Sequence, residues 1–302
     1  MSERLDDRHL LWIDLDRRDA HDLDAVAAAV GLHPGLVRRL AAAPPGADLT
    51  QYPDHIHLVL QAMDKPGPAE DETRPDPYPI DVVGGRDWVV TVHDGPVAAL
   101  GRLDGATEGE TKLGALDAAG FVAAVADEVL TGYLQLVEDI EQAIDRLDER
   151  ALRARRDDDI LGDIVRLRRR IGHIRRALAP QRVAFAALGR PEMELNDTFG
   201  KPWPGLTERL DRTLDAVENL RELLLGTFDI QMGRAAKDAN DVMKRLTLVS
   251  ALFLPGLVLT GVMGMNFPLP FFDVADHFWI VVGAMTALAL TILLMARWRG
   301  WL

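Results

Sequence analysis

The stretch LTLVSALFLPGLVLTGVMG, residues 246–264, runs nineteen positions without a charged side chain. At 1.5 Å per residue a helix of that length is about 28 Å, close to the roughly 30 Å hydrocarbon core of a bilayer. A second stretch, FWIVVGAMTALALTILLMA at 278–296, has the same length and the same lack of charge. Helices buried in a soluble core rarely lack every charge on their outer faces, so the pair reads as two membrane spans. Neither is a cleaved signal peptide, whose apolar stretch is N-terminal; MSERLDDRHL has none. Lys244 and Arg245 precede the first span and Arg297 and Arg299 follow the second, whereas the connecting MNFPLPFFDVADH has no Lys or Arg. Basic residues stay on the cytoplasmic side, so both termini are expected there, beneath a short external loop. Trp279, Trp298 and Trp301 suit the interfacial belts.

Away from the spans the chain changes character. Of 302 residues, 48% are hydrophobic and 27% charged, with 34 Lys and Arg against 47 Asp and Glu, a net charge of −13. Residues 1–245 hold 32 of the basic and 45 of the acidic residues, and residues 246–302 hold two of each, so the whole surplus sits on the part before the spans. Neutralising phosphates needs an excess of Lys and Arg, which argues against nucleic acid as a partner. An acidic body instead attracts cations. With no cysteine in the chain, disulfides, thiolate zinc sites, iron–sulfur clusters and cysteine nucleophiles are excluded. Any metal must be held by oxygen or imidazole.

Residues 1–117 mix short apolar runs with turn signals. LLWIDLD, HIHLVLQAM, PIDVVGG and WVVTVHD read as strands. AHDLDAVAAAVGL, ending at His33-Pro34, and PGLVRRLAAAPPG, with proline at its start and Pro-Pro-Gly as its stop, read as helices. Lys65 to Pro79, with five prolines and four acids, reads as a loop. No glycine-rich phosphate loop, GxSxG or HExxH is present, so no enzyme activity is expected. His55 and His57 share one face of a strand. They are either a metal-binding pair without a visible third ligand or ordinary paired polar residues on the strand's solvent face.

From residue 118 the pattern is helical. Phe121, Val125, Val129, Tyr133, Leu136, Ile140, Ile144, Leu147 and Ala151 step by three and four, as do Ile160, Ile164, Leu167, Ile171, Ile174 and Leu178. Arg153, Arg155 and Arg156 beside Asp157, Asp158 and Asp159 mark the tip between the two helices. The basic run Arg166 to Arg176 reads as a solvated face paired with acids. A third helix begins after a break at Gly200, Pro202, Pro204 and Gly205, with an apolar seam of Leu206, Leu210, Leu214, Val217, Leu220, Leu224 and Phe228. Unbroken to Gly264, it would be about 90 Å long and would link a soluble region mechanically to the first span. Two spans cannot enclose a pathway, so conduction would need several copies around an axis. Gly256, Gly261 and Gly264 favour close helix approach in the first span, whereas the second has only Gly283 among bulky residues, as a lipid-facing helix does.

The string TGVMGMNF carries Gly264-Met265-Asn266 at the outer end of the first span. That tripeptide in that place resembles the signature of the CorA family of divalent-cation transporters, which includes the zinc-type ZntB branch. LLLGTFD through NDVMKRLT and LFLP to GMNF is similar to the family's stalk-to-pore segment, WVVTVHDG to its strand before the helical region, and RWRGWL to its common ending. The resemblance extends over essentially the whole chain. It implies an α+β cytoplasmic domain (1–117), a long amphipathic helical hairpin (118–204), a stalk helix (205–245), a pore-lining first span (246–264), an external loop (265–277), a second span (278–296) and a basic tail (297–302). The expected assembly is a funnel-shaped homopentamer in the cell membrane. The implied function is transport of a divalent cation, Mg²⁺ with Co²⁺ and Ni²⁺, or alternatively Zn²⁺ as in the ZntB branch, with or without coupling to protons.

Residue by residue, the resemblance makes Gly264, Met265 and Asn266 the selectivity filter and places Asn240, Met243, Leu246, Leu254, Leu257 and Gly261 along the pore. Mg²⁺ gives up its water reluctantly, so a ring of Asn266 amide oxygens would hydrogen-bond the ion's waters without stripping them; the plainer role for Asn266 is a helix C-cap. Met243 and Leu246 would form a constriction that closes by dewetting. Asp229 matches the family's stalk carboxylate, which shares a regulatory ion with an acid of a neighbouring subunit, or it is a solvated acid. Lys244, Arg245, Arg297 and Arg299 form a basic ring on the cytoplasmic side. No prosthetic group is implied; the divalent cation is substrate and regulatory ligand.

Three departures from the family pattern are visible. Leu257 stands where many members have a pore threonine, and Met263 where an aromatic residue is usual. The loop PLPFFDVAD has neither Met-Pro-Glu-Leu nor Gly-Gly-Ile-Pro; Asp273 and Asp276 either concentrate cations at the mouth or are solvated loop acids. Two other classes remain, a membrane-anchored sensor or scaffold without transport and an enzyme fused to an anchor.

Overall fold

The computed structural model describes residues 10–42, 46–63, 77–107, 117–153, 159–188, 203–265 and 277–300. Its strands are β1 (Leu11–Leu15), β2 (Asp48–Gln51), β3 (Ile56–Ala62), β4 (Tyr78–Gly84) and β5 (Trp88–Val92). Its helices are α1 (Ala20–Val30), α2 (Pro34–Leu40), α3 (Ala98–Thr107), α4 (Ala118–Arg153), α5 (Ile160–Leu178), α6 (Gln181–Leu188), α7 (Trp203–Met263) and α8 (His277–Trp298). The loop 64–76 and the tip 154–158 lie outside the described residues.

Local chemistry sets the first elements. Asp19 caps α1 by accepting from the His21 N–H at 2.8 Å. Gly31, in the left-handed conformation at φ 75°, closes it with its N–H on the Ala27 carbonyl. The helix therefore stops at Val30, before the His33-Pro34 boundary that the proline signal suggests. Pro34 opens α2, where its missing N–H costs nothing.

The strands form one sheet in the order β1-β5-β4-β3-β2, with β1 parallel to β5 and every other pair antiparallel. Alternation divides its two faces. Val83, Val90 and Val92 pack with Leu23, Leu36 and Leu40 of α1 and α2. Ile56, Leu58, Leu60, Ile80, Val82 and Val89 face the long helices. Strand β2, reading DLTQ, has no apolar alternation and was invisible to pattern reading. It exists because the edge of β3 offers Asp48 to Gln51 a ladder to complete.

All nine seam residues from Phe121 to Ala151 in α4 are buried, each large one contributing about 1.5–3 kcal/mol by leaving water. The Tyr133 hydroxyl donates to the Gln61 carbonyl at 2.8 Å, and the Gln181 amide of α6 donates to the same oxygen at 2.9 Å, tying both helices to β3. The first 117 residues and the helices after them thus share one core. On α7 the seam is buried from Leu206 to Leu224 apart from half-buried Leu214. Phe228, expected to continue it, is 38% exposed, because the compact unit ends there. In the basic run, Arg166 pairs with Asp163 and Arg175 with Glu218.

Residues 229–302 form a second unit containing the rest of α7 and α8. Three helices among the described residues are long and apolar enough to cross a membrane, α4, α7 and α8. Burial separates them. In α4, 61% of the apolar window lies inside the protein; in α7 and α8, none does. Hydrocarbon with no fully buried residue over that length belongs in lipid or against other helices.

Candidate functional site

The stretch read as the first span is the C-terminal part of α7, and its two sides differ. Leu248, Leu252, Pro255, Gly256, Leu259 and Met263 are half-buried at steps of one, three and four. Gly256 on this side faces α8: a Cβ there would lie 3.3 Å from Met285 Cε. A cavity of about 310 Å³ beside it is lined by Leu252, Phe253, Leu257 and Thr260 of α7 and by Met285 and Leu288 of α8, among others. Of the three glycines read as permitting close approach, Gly256 thus serves the second span, whereas Gly261 has nothing within 4 Å. At 3.6 residues per turn the opposite side carries Met243, Leu246, Ser250, Leu254, Gly261 and Gly264, with Leu257 at its margin, where it also borders the cavity against α8. Every one of them is exposed.

This bare stripe contains the residues that the sequence assigns to the pore, together with exposed Asn240 one turn earlier. All belong to one helix, so a single chain lines at most one wall of a pathway. Gly264 and Met265 form the turn that ends α7, with the Gly264 N–H on the Thr260 carbonyl at 2.9 Å. Asn266, Asp273 and Asp276 lie outside the described residues. Asp229 is exposed on α7 with no ion pair among the described residues. Lys244 pairs with Asp241 at 3.2 Å, and Arg245, Arg297 and Arg299 are exposed.

Ser250 was missed by sequence reading, although its position four residues from both Leu246 and Leu254 was signal enough. The spans carry five hydroxyls among the described residues. Thr247, Thr260, Thr286 and Thr291 each donate to the carbonyl four residues back. Ser250 makes no such bond. Pro255, inside the helix, supplies no N–H to the Ala251 carbonyl.

In the soluble unit, the histidine pair serves structure. His57 and His55 are both buried. His57 Nε2 lies 2.5 Å from Asp81 Oδ1, and Arg18 Nη2 is 2.7 Å from Asp81 Oδ2, forming a buried triad of charge and imidazole. His55 stacks on Tyr52 at 4.8 Å, and burial, aided by His33 and His57, pushes its pKa down. No group of three metal-ligating side chains occurs among the described residues.

A cleft of about 740 Å³ lies at the C-terminal ends of β1 and β5, lined by Asp14, Asp16, Arg17, His93, Asp94 and Asp104 among others. Burial disfavours the His93 imidazolium, but both ring nitrogens face acceptors, the Gly95 carbonyl at 2.6 Å and Asp14 at 3.2 Å. With the charge of Asp16 added, its pKa is raised. A raised histidine pKa contributes stability that is complete below the unfolded value of about 6.5 and is lost as pH rises through the folded value. The unfolding free energy of wild type minus that of His93→Gln is therefore expected to be larger at pH 6 than at pH 8.5. Chemical denaturation followed by tryptophan fluorescence checks this; a difference constant with pH would contradict it.

The model of the CorA-like Mg²⁺ transporter proteins matches residues 7–297. The chain belongs to the CorA family. The cobalt/magnesium transport protein CorA of Thermotoga maritima is 26% identical over 180 residues, which cover 58% of this chain and 50% of that protein. The cobalt/magnesium transport protein CorA of Methanocaldococcus jannaschii is 23% identical over 218 residues, 71% of this chain and 68% of that protein. The match thus spans half the length of the Thermotoga relative. The complete structure of the M. jannaschii CorA magnesium transporter superposes with a TM-score of 0.78 at 19% identity, covering all of this chain and 95% of that one, and the fold is therefore shared. This is a family of transporters, not enzymes. Together with the two unburied apolar helices, membership makes the chain a membrane protein.

Proposed function

We propose that the chain transports a divalent cation, Mg²⁺ in preference to Zn²⁺, through a pore lined by α7 from five copies. The observation that carries this reading is the bare stripe from Met243 to Gly264, opposite the side that α8 covers. In lipid it would be an ordinary apolar surface. Around a shared axis, its small and hydrocarbon side chains make a narrow pathway whose Met243 and Leu246 rings close by dewetting, with Asn266 as the outer filter. Apolar residues before the span support self-association: Leu225, Phe228, Ile230, Met232 and Val242 are exposed on the single chain, outside the charge-free stretch that lipid would cover. The family names support a divalent cation, and the basic residues flanking both spans support cytoplasmic termini in the cell membrane.

Asp229 would sense the internal ion. A cation held between it and an acid of a neighbouring copy offsets their repulsion, and losing that ion loosens the ring. Asp273 and Asp276 would raise the cation concentration at the outer mouth.

Purified protein in detergent is expected to have the mass of a pentamer by light scattering. In liposomes it should take up Mg²⁺, with Zn²⁺ a weaker competitor and no requirement for a pH gradient. A monomeric mass, or no uptake of either ion, defeats the pore; uptake of Zn²⁺ alone and only with a pH gradient transfers the protein to the zinc-type mechanism.

A further inference from the structure

We infer that Ser250 places a ring of hydroxyl oxygens inside the permeation pathway, between the Leu246 and Leu254 rings, and that these oxygens accept hydrogen bonds from the water shell of the passing cation. The inference rests on the pore reading above and adds a residue to it.

Four observations converge on this position. Ser250 is exposed and lies on the bare stripe, on the side of α7 away from Gly256 and Met285. From Leu246 to Met265, among the described residues, every other side chain on that stripe is hydrocarbon or hydrogen. The four threonines of the spans satisfy their hydroxyl protons on their own helices, whereas Ser250 has no partner. Finally, Ser250 is about 6 Å along the axis from Leu254 and from Leu246, so its oxygen is the polar station in an otherwise apolar passage.

The chemistry fits a hydrated divalent ion. Waters bound to a small divalent cation point their hydrogens outward and need acceptors, and they are given up reluctantly. Leu246 and Leu254 offer none. A hydroxyl ring between them would shorten the stretch over which the shell goes unsupported, without a fixed charge that would trap the ion.

The absence of cysteine from the chain makes a direct test possible. Single Ser250→Cys, Leu254→Cys, Gly261→Cys and Leu252→Cys variants of the full-length protein in liposomes are exposed to a cationic, water-soluble methanethiosulfonate, with and without Mg²⁺. Ser250→Cys is expected to react about as fast as Leu254→Cys and Gly261→Cys and to be protected by Mg²⁺, while Leu252→Cys, on the side facing α8, stays unreactive. In parallel, Ser250→Ala should lower Mg²⁺ uptake about tenfold through loss of one acceptor per chain, and Ser250→Thr should retain most of it. Two results overturn the inference while leaving the pore intact: labelling at 254 and 261 but not at 250, or Ser250→Ala uptake equal to wild type. If none of the stripe positions reacts and wild type takes up no Mg²⁺, the inference falls together with the pore.

Discussion

Asn266→Ala protein in liposomes is expected to take up Mg²⁺ at least about tenfold more slowly than wild type. In the proposed pore each amide oxygen would accept a hydrogen bond from the ion's water shell, and a hydrogen bond to a charged group is worth about 1.5–3 kcal/mol. Losing about 1.4 kcal/mol at the highest barrier is already a factor of ten in rate. The reading also predicts what does not change. Asn266→Ala should keep the detergent mass and the unfolding midpoint of wild type, because the residue follows α7 in sequence and does not belong to the compact unit Met1–Phe228. Fluorescent-indicator uptake with matched protein loading checks the rate. Equal rates for the two proteins would remove Asn266 from the filter.

Arg18→Met is expected to cost about 3–5 kcal/mol of stability in the soluble unit, the usual penalty for leaving a buried charge uncompensated. The Arg18 side chain is 7% exposed and Asp81 wholly buried. Its three nitrogens reach Asp81 at 2.7 Å, the Leu40 carbonyl at 2.8 Å and Asp94 at 3.0 Å. One side chain therefore ties the β1–α1 connection to β4, to the end of α2 and to the loop after β5. Met keeps the volume and loses all three contacts. Adding Asp81→Asn removes the stranded charge, so the double variant should recover a substantial part of the loss. Urea unfolding of the four proteins in a double-mutant cycle reads the coupling directly; additive effects would show that the pair is energetically independent.

Much of the architecture was legible because periodicity records burial. The α4 seam stepped correctly for nine residues, since a helix packed on a sheet must keep one face dry for its whole length. HIHLVLQAM announced β3 for the related reason that Ile56, Leu58 and Leu60 alternate onto the face that packs on the long helices. Where partners decide, the pattern was silent. DLTQ becomes a strand only because β3 lies beside it, and Phe228 looked like core until the core ended.

The functional residues divide in the same way. Two histidines at alternate positions read as a metal pair or as a polar solvent face; both are buried, and Asp81 and Arg18, distant in sequence, make His57 part of a buried triad. The pore stripe could be assigned only by resemblance, because a helix facing lipid and a helix facing a narrow pathway have nearly the same composition. Once α8 is seen to cover one side of α7, the remaining bare side is the one that carries Ser250 between Leu246 and Leu254.

One property of α7 has a consequence for how assembly can be observed. From Asp229 to Arg245, seventeen helical residues contain not one that is buried within the chain. A helix of that length held only by its own backbone is marginal in water. Its amide protons should therefore exchange with deuterium rapidly in a dissociated protomer and slowly when neighbouring copies enclose it. Segment-resolved exchange mass spectrometry over these seventeen residues would follow association and loosening of the ring without any label.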